Sequence, residues 1–327
     1  MRTARLALMA AVVLGIAWGG ATGCSKNTTT GRSQFLLLSL SQEAQLGAEA
    51  KGQLVAEMGG ELSRAEIRAY VTQVGTRLLG PAIERDPQMG SLQWEFTVLD
   101  SDVINAFALP GGKVFMSRGL MQKMTNEAQL AAVLGHEIGH VTARHGNERV
   151  SRQVSAQFGL EVAASILSGS ESGQLIAQIA SEGAGLWLMS YDRRQESESD
   201  ALGADYMVAV GYDPMGAVQV MEILAAESGG QSPPEILSTH PDPKRRANDL
   251  RNRIAEKYPH TQGNSAYSLR EQEFRTNVLN RLRSAYPHAG TPRLAAYVGE
   301  DTPEGALCAF VGCGCSHGHR PNVQMAK

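Results

Sequence analysis

The spacing of apolar and polar residues changes several times along the chain. From Ser41 to Leu79 the apolar positions recur at helical spacing, which predicts one helix opening at "SQEAQLGAEAKGQL" and a second over "LSRAEIRAYVTQVGTRLL". "LQWEFTVLD" then alternates like a strand, and "VINAFALPGGKVFMSRGL" reads as two strands joined by a Pro-Gly-Gly turn. Beyond Asn126 the pattern is helical again, with Asn126 and Gln129 spaced to cap the start of a helix. Residues 156–190 are apolar but broken by "SGSESG", so they read as two buried helices and not as a membrane span. Further helices are expected at about 194–210, 214–227, 242–257 and 268–285. No repeat of roughly 20–50 residues is present, which excludes an appended repeat array within this chain. The expected class is α+β, mainly helical, with the main domain over 41–286.

Length adds that the chain can bury a substantial core: it has 327 residues, 43% of them hydrophobic. Thirty Lys and Arg against 33 Asp and Glu give a net charge of −3, too balanced for the positive field that nucleic-acid backbones require, so no nucleic-acid partner is expected. The densest basic stretch, "KRRANDLRNR", is interrupted by Asp249 and reads as a solvated helix face.

The N-terminus changes the picture more. Arg2 and Arg5 precede an apolar run from Leu6 to Trp18 and then small residues up to Cys24, the pattern of a secretory signal over 1–23. The run is shorter than the roughly 20 residues a spanning helix needs. "GATGC" resembles the lipobox of bacterial lipoproteins, with Ala21 where Leu is usual, so a lipid on Cys24 is expected to attach the protein to a membrane. Ser25 resembles the signal for sorting to the outer membrane, with release into the periplasm as the alternative. The polar stretch "SKNTTTGRSQ" reads as a tether, placed at 24–40. Cys308, Cys313 and Cys315 cluster near the C-terminus, so no disulfide framework staples the main domain.

Chemistry concentrates in "LGHEIGHVTARHG". On a helix His136 and His140 are about 40° apart and project from one face, a spacing that lets two imidazoles hold one zinc ion. Glu137, about 100° from His136, is placed to reach a water on that ion as general base. His145 falls on the opposite face for as long as the helix continues. The metzincin pattern is excluded, because Ala143 and Gly146 stand where it needs Gly and His, so a third ligand must come from elsewhere. Ala132, Gly139 and Ala143 share the histidine face and would let another helix approach closely. "YDRRQESESDALGADYM" provides one: Glu196, Asp200, Gly203, Met207 and Val210 form one stripe, while Glu198 points away with Leu202 and Asp205. Two carboxylates on a small or apolar stripe are costly to bury unless paired or metal-bound. Glu196 is therefore assigned as third ligand, and Asp200 as the group that orients a ligand histidine.

Together with "TGRSQFLLLS", "NAFALPGGKVFMSRGLM", "NEAQLAAVLGHEIGHV", "RRQESESDALGADYM" and "STHPDPKRR", in that order over roughly residues 30–257, these motifs resemble the HtpX-type zinc metalloprotease family, the group that includes the CAAX prenyl proteases, BepA and LoiP. The resemblance implies a zincin of gluzincin type with a small sheet or hairpin whose edge strand borders the site. It implies one Zn2+ on His136, His140 and Glu196, Glu137 as catalytic base, and Asp200 behind the ligands. Ser199 stands where the family usually has Ala. With no apolar span past the signal, the chain is nearer the soluble periplasmic branch. The implied activity is endoproteolysis of unfolded or misassembled envelope polypeptides, with outer-membrane assembly machinery as a partner. "INAFAL" is the expected edge for an extended peptide, with Asn105, Ala106, Phe107 and Ala108 as its contacts. His240, between restricting prolines in "STHPDPKRR", has two competing roles within the family pattern: a fourth ligand that latches the enzyme, favoured here, or a donor to the oxyanion. Arg246 reads as helix or loop support.

Two other functions compete. A proteolytically silent chaperone or assembly factor would keep the metal and bind clients at the same cleft, but would have no need of Glu137. The tail, 287–327, reads as an unstructured segment; alternatively Cys308, Cys313, Cys315, His317 and His319 bind Zn(II) or Cu(I).

Overall fold

The computed structural model describes residues 24–158, 190–229 and 233–286. The signal at 1–23, most of the helix pair expected over 156–190, and the Cys/His tail lie outside the described residues.

Ser39 opens α1 (Leu40–Glu57) through a reciprocal capping box with Gln42. Helix α2 (Ala65–Arg85) runs past Leu79, where the apolar period suggested an end, and contains Pro81. The ring deprives only the Arg77 carbonyl of its helical partner, and Leu78, Leu79 and Ala82 stay buried on the core.

Strands β3 (Glu95–Leu99), β4 (Ala106–Leu109) and β5 (Lys113–Ser117) form one sheet in the order β3-β5-β4. The expected hairpin is β4–β5, its turn made by Gly111 and Gly112 at positive φ. β3 instead pairs parallel to β5, which leaves β4 as an edge. Alternation sorts the sheet between two cores. Phe96, Val98, Ala106, Ala108, Val114 and Met116 face the larger one. Phe107, Leu109 and Phe115 pack with Leu46 and Leu54 of α1 and with Val150 and Val154.

After the short α3 (Arg118–Lys123), Asn126 caps α4 (Glu127–Thr142), its side chain accepting from Gln129 N at 2.9 Å. Every residue of α4 is buried, so the HExxH helix is the axis of the domain. Helix α5 (His145–Phe158) follows after a bend at Arg144, φ 56°. Helices α6 (Arg193–Ala209), α7 (Met215–Glu227), α8 (Ile236–Thr239) and α9 (Pro243–Lys257) follow, and helical turns over residues 271–285 add Phe274, Val278 and Leu282 to the larger core. No described helix is long and apolar enough to cross a membrane.

Residues 24–40 differ from the tether reading. Cys24–Lys26 and Ser33–Phe35 form the antiparallel strands β1 and β2, and the ladder is folded onto the domain. Buried Asn27 donates from Nδ2 to Thr142 O at 3.1 Å, and buried Gln34 from Nε2 to Ala143 O at 2.7 Å. These carbonyls end α4 and lack donors from within the helix. Polar composition suited solvent, but here it serves a helix terminus.

Candidate metal centre

α4 presents His136 and His140 one turn apart, with their Nε2 atoms separated by 3.0 Å. Asp192 and Gln195 cap α6 reciprocally, which puts Glu196 in its first turn. Glu196 Oε1 lies 3.3 Å from His140 Nε2 and 3.0 Å from His240 Nδ1, and that Nδ1 is 3.2 Å from His136 Nε2. All four donor groups are buried and their ligand atoms lie within 4.8 Å of one another. Donors about 2.0–2.1 Å from a common ion in tetrahedral array are about 3.3 Å apart, and the four separations above match. Two imidazole lone pairs and a carboxylate aimed at one buried point repel unless a cation or proton sits among them. The residues present fit one divalent ion.

Glu137 stands beside this cluster, with Oε1 3.7 Å from His240 Nε2. Its Oε2 and His240 Nε2 are buried without hydrogen-bond partners. Burial raises the Glu137 carboxyl above the usual range. Burial likewise pushes His140 well below the ordinary imidazole value. At Glu196 burial opposes ionisation, but Arg246 and the surrounding histidines outweigh it and hold the carboxyl well below its usual range. For His240 burial disfavours the cation, yet Glu196 and Glu137 raise its pKa.

Asp200 lies behind His136, with Oδ1 2.9 Å from Nδ1. Arg246 is fully buried between the two acids, with Nη1 2.6 Å from Glu196 Oε2 and Nη2 2.6 Å from Asp200 Oδ1. Sequence reasoning assigned Arg246 only to support. Its neighbourhood of Lys and Arg concealed it, and the one available signal was the excess of buried acid on the α6 stripe. His145 was expected on the far side of the helix. It returns to the site because α4 ends at Thr142 and Arg144 adopts the left-handed conformation, bringing His145 Nδ1 to 3.0 Å from His140 Nδ1. Tyr191, also missed, stacks on the His140 ring at 3.8 Å. Glu198 is directed away from the cluster, as expected, and meets His145 Nε2 at 2.9 Å.

Asn105, Ala106, Phe107 and Ala108 are all buried. The approach to the start of β4 is covered by the chain leading to His240: Ile236 N donates to Ile104 O at 3.2 Å, and Asn105 Nδ2 to Glu235 Oε1 at 3.1 Å. An apolar pocket lined by Val133, Ala217, Val220, Met221 and Ile236 opens beside His136 and Glu137.

A buried helix bearing HExxH, met by a glutamate from a later helix and flanked by a small sheet with an edge strand, is the arrangement of the zincin metallopeptidases. The model of peptidase family M48 matches residues 66–254, and the chain belongs to that family. It is 32% identical over 250 residues to the beta-barrel assembly-enhancing protease of Yersinia pestis, covering 74% of this chain and 49% of that one. The protein of the same name from Escherichia coli K12 is 30% identical over 269 residues, covering 77% and 52%. The mitochondrial metalloendopeptidase OMA1 of Schizosaccharomyces pombe is 33% identical over 220 residues, covering 66% and 62%. The chain thus spans about half to three fifths of the length of these relatives.

Proposed function

We propose that this protein is a zinc-dependent endopeptidase of the bacterial cell envelope that cleaves unfolded or misassembled envelope polypeptides. The observation that carries the reading is the convergence of His136, His140, Glu196 and His240 on one buried point, with Glu137 beside it, its Oε2 buried without a hydrogen-bond partner. His136, His140 and Glu196 would hold the ion. Zinc there supplies a Lewis acid that polarises the scissile carbonyl and makes water acidic enough to attack near neutral pH. Glu137 accepts the proton of the attacking water and returns it to the leaving amine, and a carboxyl pKa raised by burial suits that exchange. An extended peptide adds to the β4 edge at Asn105–Ala108 through its backbone, with little demand on sequence.

The described conformation favours a latched resting state. His240 Nδ1 is the fourth converging donor, and the chain before it bonds to Ile104 and Asn105, where a peptide would add. We read His240 as the latch in preference to an oxyanion donor. The relatives named as beta-barrel assembly-enhancing proteases support beta-barrel assembly as the setting. A lipid on Cys24 would hold the protein at the periplasmic face of the outer membrane, near assembly machinery.

The test is digestion of casein and of an unfolded outer-membrane protein, with metal content measured alongside. Glu137→Gln should retain zinc and lose about 10²–10⁴-fold in turnover. Digestion by the variant at the wild-type rate would remove Glu137 from the role of base, and wild type that holds zinc but digests neither substrate would return the protein to the chaperone reading.

A further inference from the structure

Behind His140 lies a line of side chains that the proposed reaction does not use. If Nε2 of His140 faces the ion, its Nδ1 carries the ring proton and must donate it. The acceptor is His145 Nδ1 at 3.0 Å. With that lone pair engaged, His145 holds its own proton on Nε2, 2.9 Å from Glu198 Oε2. The same oxygen accepts from Arg32 Nε at 3.3 Å, while Arg32 Nη1 and Nη2 grip Glu148 at 3.0 and 2.8 Å. With Nε2 on the ion, every hydrogen bond in the line has one consistent donor and one acceptor.

We propose that His145, Glu198 and Arg32 are positioning residues that hold the imidazole of His140 toward the metal, so that the N-terminal β1–β2 ladder completes the site. The inference rests on the metallopeptidase reading above. Its counterpart is visible across the cluster, where Asp200 holds His136 Nδ1 directly. Metal-ligating histidines nearly always donate their second ring nitrogen to such a partner, and loss of the partner weakens metal binding about 10–100-fold.

The backbone supports the assignment. His145 reaches His140 only because Arg144 takes φ 56°, a conformation unfavourable for a residue with a Cβ. Arg144 is held there by Nε bonded to Glu43 Oε1 at 2.6 Å and Nη2 to Leu38 O at 2.9 Å. Without that bend the second histidine would face away. Arg32 sits between the two strands of the ladder, so the contact that closes the line comes from a segment more than 100 residues away in sequence.

The experiment measures zinc affinity by competition with a chromophoric chelator, and the visible spectrum of the cobalt-substituted full-length protein. His145→Leu should bind metal about 10–100-fold more weakly and alter the cobalt spectrum. His145→Gln should restore both, because an amide oxygen can accept from His140 while its NH2 donates to Glu198. Arg32→Ala should weaken binding in the same direction. Arg85→Ala, which loosens the same N-terminal segment by releasing Thr29 O, should not. Melting of the metal-free proteins tracks folding, and Arg32, being partly exposed, keeps the test usable if the fold does not tolerate His145→Leu. Wild-type affinity in both His145→Leu and Arg32→Ala, or His145→Gln binding no better than His145→Leu, overturns the relay alone. Failure of wild type to take up any ion overturns the metallopeptidase reading and the relay with it.

Discussion

Gly203 of α6 meets Gly135 of α4 with no side chain between them: a Cβ on Gly203 would lie 3.0 Å from the Gly135 carbonyl carbon and 3.0 Å from His136 N. The close crossing brings the Glu196 stripe against the histidine face. Gly203→Val should force the helices apart, lower stability by about 1–3 kcal/mol and reduce metal uptake. Gly52→Ala, on α1 where an added Cβ meets nothing within 4 Å, should leave both unchanged or raise stability slightly. Thermal melts with metal analysis check this, and normal metal uptake by Gly203→Val would show that the approach is not limiting.

His240 separates two mechanisms by the sign of one effect. As a latch, its replacement in His240→Ala should raise basal casein digestion and self-cleavage, because the fourth donor no longer competes with substrate. As an oxyanion donor, the same change should lower kcat about 10²–10³-fold. Zero-substrate autolysis and steady-state kinetics on one preparation distinguish them.

Asp205 should contribute to acid sensitivity. Burial opposes its ionisation, but hydrogen bonds from Lys257, Tyr258 and Arg253 outweigh this and bring its pKa to about 2 from 3.8. The carboxylate therefore favours the folded state at neutral pH. That contribution falls as the unfolded chain takes up the proton below about pH 4 and is gone below about pH 2. Asp205→Asn should lower the unfolding free energy by about 2 kcal/mol at pH 7, with the gap closing toward pH 2. Denaturant titrations across that range measure it. A gap independent of pH would assign the loss to packing.

Lipid attachment is tested at Cys24. Cys24→Ser should abolish labelling by a palmitate analogue and move the protein from the membrane fraction to the soluble one. Unchanged fractionation sinks the anchor. Loss of the anchor should leave zinc binding intact, because the segment is held by Asn27 and Gln34 at the end of α4 and by Arg32 on Glu198 and Glu148.

Much of the site was legible because its rules are local. A helix turns about 100° per residue whatever surrounds it, so His136 with His140, and Glu196 with Asp200, follow from spacing alone. The same holds for the Gly111–Gly112 turn, where the backbone needs positive φ, and for Asn126, whose short side chain reaches the free N–H of Gln129. Burial demand also reads locally: α4 is apolar on both sides and lies at the centre of the domain.

What only the tertiary structure decided depends on groups distant in sequence, for which no period exists. The parallel pairing of β3 with β5 puts β5 in the centre of the sheet and leaves β4 at an edge. Arg246 enters the site because two buried carboxylates need a cation, a requirement the sequence states without naming which of thirty Lys and Arg meets it. Asn27 and Gln34 fold inward because the end of α4 leaves carbonyls without donors, and composition marked them only as polar. His145 depends on a single left-handed residue, Arg144, whose conformation is fixed by Glu43 and Leu38 from another helix and loop. Helical spacing put the ligands on their faces, and desolvation with long-range hydrogen bonding determined what stands behind them.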